Sequence, residues 1–184
     1  MAIVPERPGL LPLDEQTLNR VAAALPAWAR ASAEAGFEAF TSLPMPDSRQ
    51  EEWRYVEVGV DLDGLHVPEA AGTPLPPDEE LAAALGPISG RAVNVDGHTV
   101  SADGGGPARF VSLAAALAGD DEALRRVFRS GPGPRLDRFA AAHHAFGSDG
   151  IFLHLRRGER LPAPVLVEFQ ATREGALALP RLTV

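Results

Sequence analysis

Five histidines, His66, His98, His143, His144 and His154, are the side chains best suited to metal or proton-transfer chemistry in this chain. Their spacing offers little of it. His143 and His144 are adjacent, so on a helix they point to different faces and do not chelate one ion together, and no His-Glu-x-x-His pattern occurs. Half-buried or surface packing is their plain reading. The enzymatic alternative is a small metal-dependent hydrolase drawing on His98, His143 or His154. Asp61-Leu62-Asp63-Gly64 looks like the start of a calcium loop, but the twelfth position is Gly72 rather than Glu, which leaves an acidic turn. Gly104-Gly105-Gly106-Pro107 lacks the Lys-Ser/Thr of a phosphate loop and reads as a flexible linker. No Gly-x-Ser-x-Gly elbow is present, and Glu51-Glu52 and Asp120-Asp121 carry no glycosidase signature. The residues themselves define no active site.

One segment stands out. Leu43 to Tyr55 places Arg49, Trp53, Arg54 and Tyr55 in a connection marked by Pro44 and Pro46. It uses one of two tryptophans and the sole tyrosine. Trp and Tyr bury large areas while keeping a polar handle, and Arg stacks on aromatic faces. Trp53, Arg54 and Tyr55 therefore either pin a helical arm to the rest of the domain, the favoured reading, or form a docking surface for a partner.

Composition bounds the possibilities. The 184 residues include 17 basic and 25 acidic side chains, for a net charge of −8, and every basic residue is Arg. This balance argues against nucleic-acid binding, which needs clustered positive charge. Cysteine is absent, which excludes disulfides, thiolate zinc sites, a Cys nucleophile and iron–sulfur ligation by the chain's own thiolates. No run approaches the roughly 18 apolar residues of a membrane span. Met1 to Pro8 has no basic or long apolar stretch. The expectation is a cytoplasmic protein with no membrane or nucleic-acid partner.

The elements that must position these groups follow from caps and breakers. The 18 glycines and 17 prolines mark a Pro-spaced tail over 1–13, a linker over 68–77, and loops at 104–107 and 131–134. Asp14 caps a helix carrying Leu18, Val21 and Leu25. Pro26 ends it or opens a second helix, which runs to about Phe40 with Trp28, Ala31, Ala35 and Phe40 on one face and Gly36 as an interruption. Asp78 opens a short helix, Asp120 or Asp121 opens another over 122–129, and Arg135 to Phe146 forms a third with Leu136, Phe139, Ala140 and His143 aligned. Ala92–Val95, Asp96-Gly97 and His98–Val100 predict a hairpin, because Asp-Gly tolerates the positive φ of a tight turn. Ile151–Leu155, Val165–Phe169 and Leu177–Val184 predict three strands. Their short links imply a meander, a sandwich or solenoid coils. Ending on Leu182-Thr183-Val184, the last strand suggests a sheet that continues past this chain.

Five stretches in order resemble the SufB/SufD family, scaffold subunits of SUF iron–sulfur cluster assembly. Leu43-Pro44 with Arg49-Gln50-Glu51-Glu52-Trp53-Arg54-Tyr55 is similar to the family's LP-x(n)-E-x-W-(R/K)-Y-T, with Val56 in place of Thr. Val93–Gly97 resembles its VNG hairpin, and Phe110–Leu117 its V-x-SL-x-x-AL. Phe139–Leu153 resembles F-x-x-LN-x-AF-x-x-DG-x-x-(I/L), with His143-His144 in place of Leu-Asn. Arg157-Gly158 to Pro180-Arg181 resembles the entry into a parallel β-helix. Because the family's cluster-forming Cys lies in SufB, absence of Cys leans the resemblance towards SufD, although those positions would fall beyond Val184.

The resemblance implies an α+β fold, with an N-terminal helical and mixed region followed by the first strands of a truncated right-handed parallel β-helix. The corresponding organisation is 1–67, helical with the Trp53-Arg54-Tyr55 segment; 68–147, hairpin and helices; and 148–184, the start of the β-helix. It implies a non-enzymatic scaffold role beside a SufB-like subunit and a SufC-like ATPase, mostly through regions beyond Val184. An iron–sulfur cluster, and a flavin if there is one, would belong to the assembled complex, with no cofactor, metal or catalytic residue on this chain. The alternative is a free-standing acidic adaptor that binds proteins through Trp53 to Tyr55.

Overall fold

In the computed structural model, which describes residues 8–119, 121–128 and 130–184, the elements in chain order begin with β1 (Leu10–Pro12), α1 (Glu15–Ala24) and α2 (Ala27–Ser42). Then come β2 (His66–Pro68), α3 (Glu79–Leu85), β3 (Gly90–Val95), β4 (His98–Gly104), β5 (Arg109–Ser112) and α4 (Leu113–Ala118). The remainder are α5 (Glu122–Val127), α6 (Arg138–Phe146), β6 (Gly150–His154), β7 (Val165–Gln170) and β8 (Arg181–Thr183). Among the described residues the fold is mixed α+β, with six α-helices and three small sheets.

Side-chain caps start the helices where the sequence places them. Asp14 accepts from the N–H of Thr17 at 2.8 Å, Asp78 from Leu81 at 2.9 Å, and Asp121 from Ala123 and Leu124 at 2.8 and 3.1 Å. Pro26 occupies the N-cap of α2. Asp120 and Arg129 lie outside the described residues. The last predicted helix begins later than expected: Asp137 caps α6 through Ala140 at 2.7 Å, leaving Arg135 and Leu136 before the helix.

The main core lies where α2 crosses α6. Its faces are rotated from those expected. Ala31 and Ala35 are exposed, whereas Ala29, Ala33, Gly36 and Phe40 are buried against Ala141, Ala142, Ala145 and Phe146. Gly36 is the reason. A Cβ there would lie 2.6 Å from the backbone nitrogen of Ala145 and 2.7 Å from the Cβ of His144, so the supposed interruption is the point of closest approach. Phe37 and Phe40 pack edge-on to Phe146, at centroid distances of 6.0 and 5.5 Å.

Asp96 at φ 53° and Gly97 at φ 92° turn β3 into antiparallel β4, as the Asp-Gly pair predicts. The three C-terminal strands do not form a meander. β7 pairs parallel with β3, β8 pairs parallel with β6, and Ala176 makes a parallel bridge to His66. The sheet orders are β1-β2, β4-β3-β7 and β5-β6-β8. Leu177 to Pro180 lie before β8 rather than in it.

Local punctuation misleads at two places. Leu10–Pro12, expected in a tail, pairs antiparallel with His66–Pro68, so Pro68 belongs to a strand rather than to the linker. Pro is tolerated at such an edge. The Gly104–Gly106 turn, expected to be a flexible linker, is tied to the residue just before β3 by a 2.7 Å bond from the Gly105 N–H to the Ser89 carbonyl. Strands and helices also meet directly: β5 and α4 follow one another through Ser112, whose hydroxyl accepts from Ala115 at 3.1 Å.

Candidate docking site

After α2 the chain runs through Leu43 and Met45, which pack against the main core, and then through buried Pro46. Asp47 folds back on Arg49, accepting from its backbone N–H at 2.8 Å and its guanidinium at 2.5 Å. The hydrogen bonds from Arg49 hold the Asp47 carboxyl down at about 2. A single 3-10 turn over Glu51–Trp53 then carries the indole onto Phe139 of α6, with ring centroids 5.6 Å apart and planes inclined by 31°.

The three singled-out residues therefore divide. Trp53 is half-buried on α6 and performs the pinning. Tyr55 is 87% exposed and touches the Arg54 guanidinium, 5.3 Å from its ring centre, rather than the core. Arg54 in turn pairs with Glu51 at 3.3 Å. The aromatic cluster expected to act as one anchor is one anchor and one solvent-facing side chain.

Beside the indole is an open groove of about 450 Å³ lined by Gln50, Glu52, Trp53, Val56, Leu136 and Asp137. Leu136 is 62% exposed and Val56 is also exposed. Leu136 was expected on a helix face, but it precedes the Asp137 cap and so projects from a loop. The signal was present: an Asp three residues before Ala140 marks a helix start after Leu136. Val56 also borders a second depression, together with Pro46, Arg54, Tyr55 and Glu57.

The histidines are dispersed. His98 Nε2 meets the Pro68 carbonyl at 2.9 Å, and His154 stacks on Phe152 at 6.1 Å. His66 is buried on β2, and among the described residues its Nδ1 has no hydrogen-bond partner. His143 Nε2 lies 3.1 Å from the Pro180 carbonyl; His144 Nε2 lies 2.8 Å from the Pro132 carbonyl and its Nδ1 2.9 Å from Ser32 Oγ. Both line a cavity of about 390 Å³ with Arg181, whose guanidinium covers the Phe128 ring at 4.4 Å. Burial lowers the pKa of both imidazoles, assisted by the charge of Arg181 and opposed by the facing carbonyls. Asp61 forms the expected acidic turn, accepting from Asp63 at 3.0 Å. Among the described residues no group of three or more His, Asp or Glu side chains is arranged to hold a metal, and no helix is long and apolar enough to cross a membrane.

The class defined by these observations is an α+β chain with an aromatic, acid-rimmed surface groove. No protein-family model matches the chain, and no curated protein matches it.

Proposed function

We propose that the chain is the N-terminal part of a SufD-like scaffold subunit that works in the cytoplasm with a SufB-like subunit and a SufC-like ATPase in iron–sulfur cluster assembly. The observation that carries the proposal is the path of residues 150–183. From β6 the chain passes to β7 beside β3, to Ala176 beside His66, and back to β8 beside β6, pairing parallel at each stop. Such a circuit through three sheets is what the first coil of the right-handed parallel β-helix implied by the resemblance would require. The resembling stretches also fall on distinct elements: the Trp53 turn, the β3–β4 hairpin, β5 with α4, and α6 with β6.

In this role the chain supplies framework and contact surface rather than catalysis. ATP hydrolysis in the SufC-like subunit would reshape the scaffold pair, and the cluster would be cargo assembled outside these residues. The test is capture of the native complex from source cells with an antibody against this chain. Companions that include a SufB-like protein and a SufC-like ATPase support the proposal; their absence overturns it. The exposure of Tyr55 favours a second reading, a free-standing acidic adaptor, which capture with unrelated partners would support.

A further inference from the structure

We infer that the Trp53 groove is a docking site for a partner segment that presents an arginine or lysine flanked by aliphatic side chains. The inference concerns the ligand of this groove and holds whichever assembly the chain joins.

Three features specify that chemistry. First, the groove is apolar at its centre, where Trp53, Val56 and Leu136 offer an aromatic surface and two exposed aliphatic groups. Second, its charged lining is acidic only: Glu52 and Asp137, with Gln50 as a neutral neighbour and no arginine. Third, the arginines close enough in sequence to neutralise it are committed elsewhere. Arg49 pairs with Asp47 at 2.5 Å, Arg54 with Glu51 at 3.3 Å, Arg135 with Glu38 at 2.7 Å and Arg138 with Asp63 at 2.6 Å. Among the described residues Glu52 has neither an ion pair nor a hydrogen bond. Asp137 caps α6 through Oδ1, which accepts from the Ala140 N–H at 2.7 Å, and among the described residues it has no ion pair.

An aromatic face attracts a cation placed over it, and flanking carboxylates reinforce that attraction. The aliphatic stem of Arg or Lys packs on apolar walls while its head reaches the acids. The occupant is therefore fixed by charge complementarity: an acidic segment would be repelled by Glu52 and Asp137, and a purely apolar one would bury those carboxylates without a partner.

The experiment uses the whole chain and a fluorescein-labelled eight-residue peptide of leucine and arginine in equal numbers, followed by anisotropy. Two control peptides replace arginine by glutamate or leucine by serine. The leucine–arginine peptide should bind, the glutamate version should not, and the serine version should bind about tenfold more weakly. Glu52→Arg should weaken the first peptide by about tenfold, and Leu136→Ser by several-fold. Glu174→Arg, which alters an exposed acid outside the groove, should change it by less than about twofold. All three positions are exposed, and circular dichroism verifies the fold of each variant. Equal weakening by Glu52→Arg and Glu174→Arg would mean diffuse attraction to an acidic chain and overturn the site. Binding by no peptide, or by all three alike, would overturn it too.

Discussion

Thr99 is bonded both to Asp149 and to the residue that follows it. Asp149 Oδ2 accepts from the Thr99 N–H at 2.7 Å, and the Thr99 hydroxyl donates to the carbonyl of Gly150, the next residue, at 2.7 Å. The second carboxylate oxygen of Asp149 accepts from the Ala114 N–H at 2.9 Å. One buried side chain thus holds together the hairpin strand β4, the start of α4 and the entry to β6. Asp149→Ala removes a buried acceptor from two backbone N–H groups and should cost about 3 kcal/mol, read as a lower urea midpoint with unchanged denaturant slope.

Gly36→Ala is a test in which two effects oppose each other. In an open helix the change would gain about 1 kcal/mol from propensity. Here the new Cβ would meet the Ala145 nitrogen at 2.6 Å, a backbone atom that moves only if α2 and α6 separate. Net destabilisation of about 1–3 kcal/mol is expected. A stabilised variant would show that the helices do not meet so closely.

Trp53 and Tyr55 should separate in the same measurement. Trp53→Ala removes an indole packed on Phe139 and should cost about 2 kcal/mol. Tyr55→Ala alters a side chain that leaves the core untouched and should stay within about 0.5 kcal/mol.

Stability should fall as the medium is acidified below the ordinary imidazole value of 6.5. His143 and His144 are held neutral in the fold, chiefly by burial and further by Arg181, so their folded pKa values lie below 6.5. The unfolded chain then takes up protons first as pH drops, and unfolding is favoured from 6.5 downward. The urea midpoint should be lower at pH 5.5 than at 7.5, and replacing both histidines by glutamine should flatten the difference. Asp96 acts in a separate window. Burial pushes its carboxyl up, but bonds from the Thr172 hydroxyl and N–H, with Arg173 nearby, bring the net value below 3.8. Its stabilising contribution is present above 3.8 and is lost only as pH falls further, so it does not enter the comparison between 5.5 and 7.5.

Local chemistry was legible in the residues. Asp14, Asp78 and Asp121 cap helices because a short carboxylate reaches the free N–H groups of its own first turn. Asp96-Gly97 makes a hairpin because the pair accepts positive φ. None of this needs distant partners. The groove was half legible: Trp53 and Glu52 stood out as a segment, while Leu136 and Asp137 come from 84 and 85 positions beyond Glu52 and meet it only in three dimensions.

The tertiary structure alone decided what paired with what. Apolar strands such as Val165–Phe169 announce themselves by composition, yet nothing in them specifies that β7 joins β3 in parallel rather than β6 in a hairpin. That choice depends on the burial of Ala92 with Val165 and Val167 and on the Arg91–Glu168 pair at 2.6 Å, between residues far apart in the chain. The helix faces followed the same logic. Periodicity permits several stripes on an alanine-rich helix; the closest packing of Gly36 on Ala145 selected one, because only a residue without Cβ lets the two backbones approach so nearly.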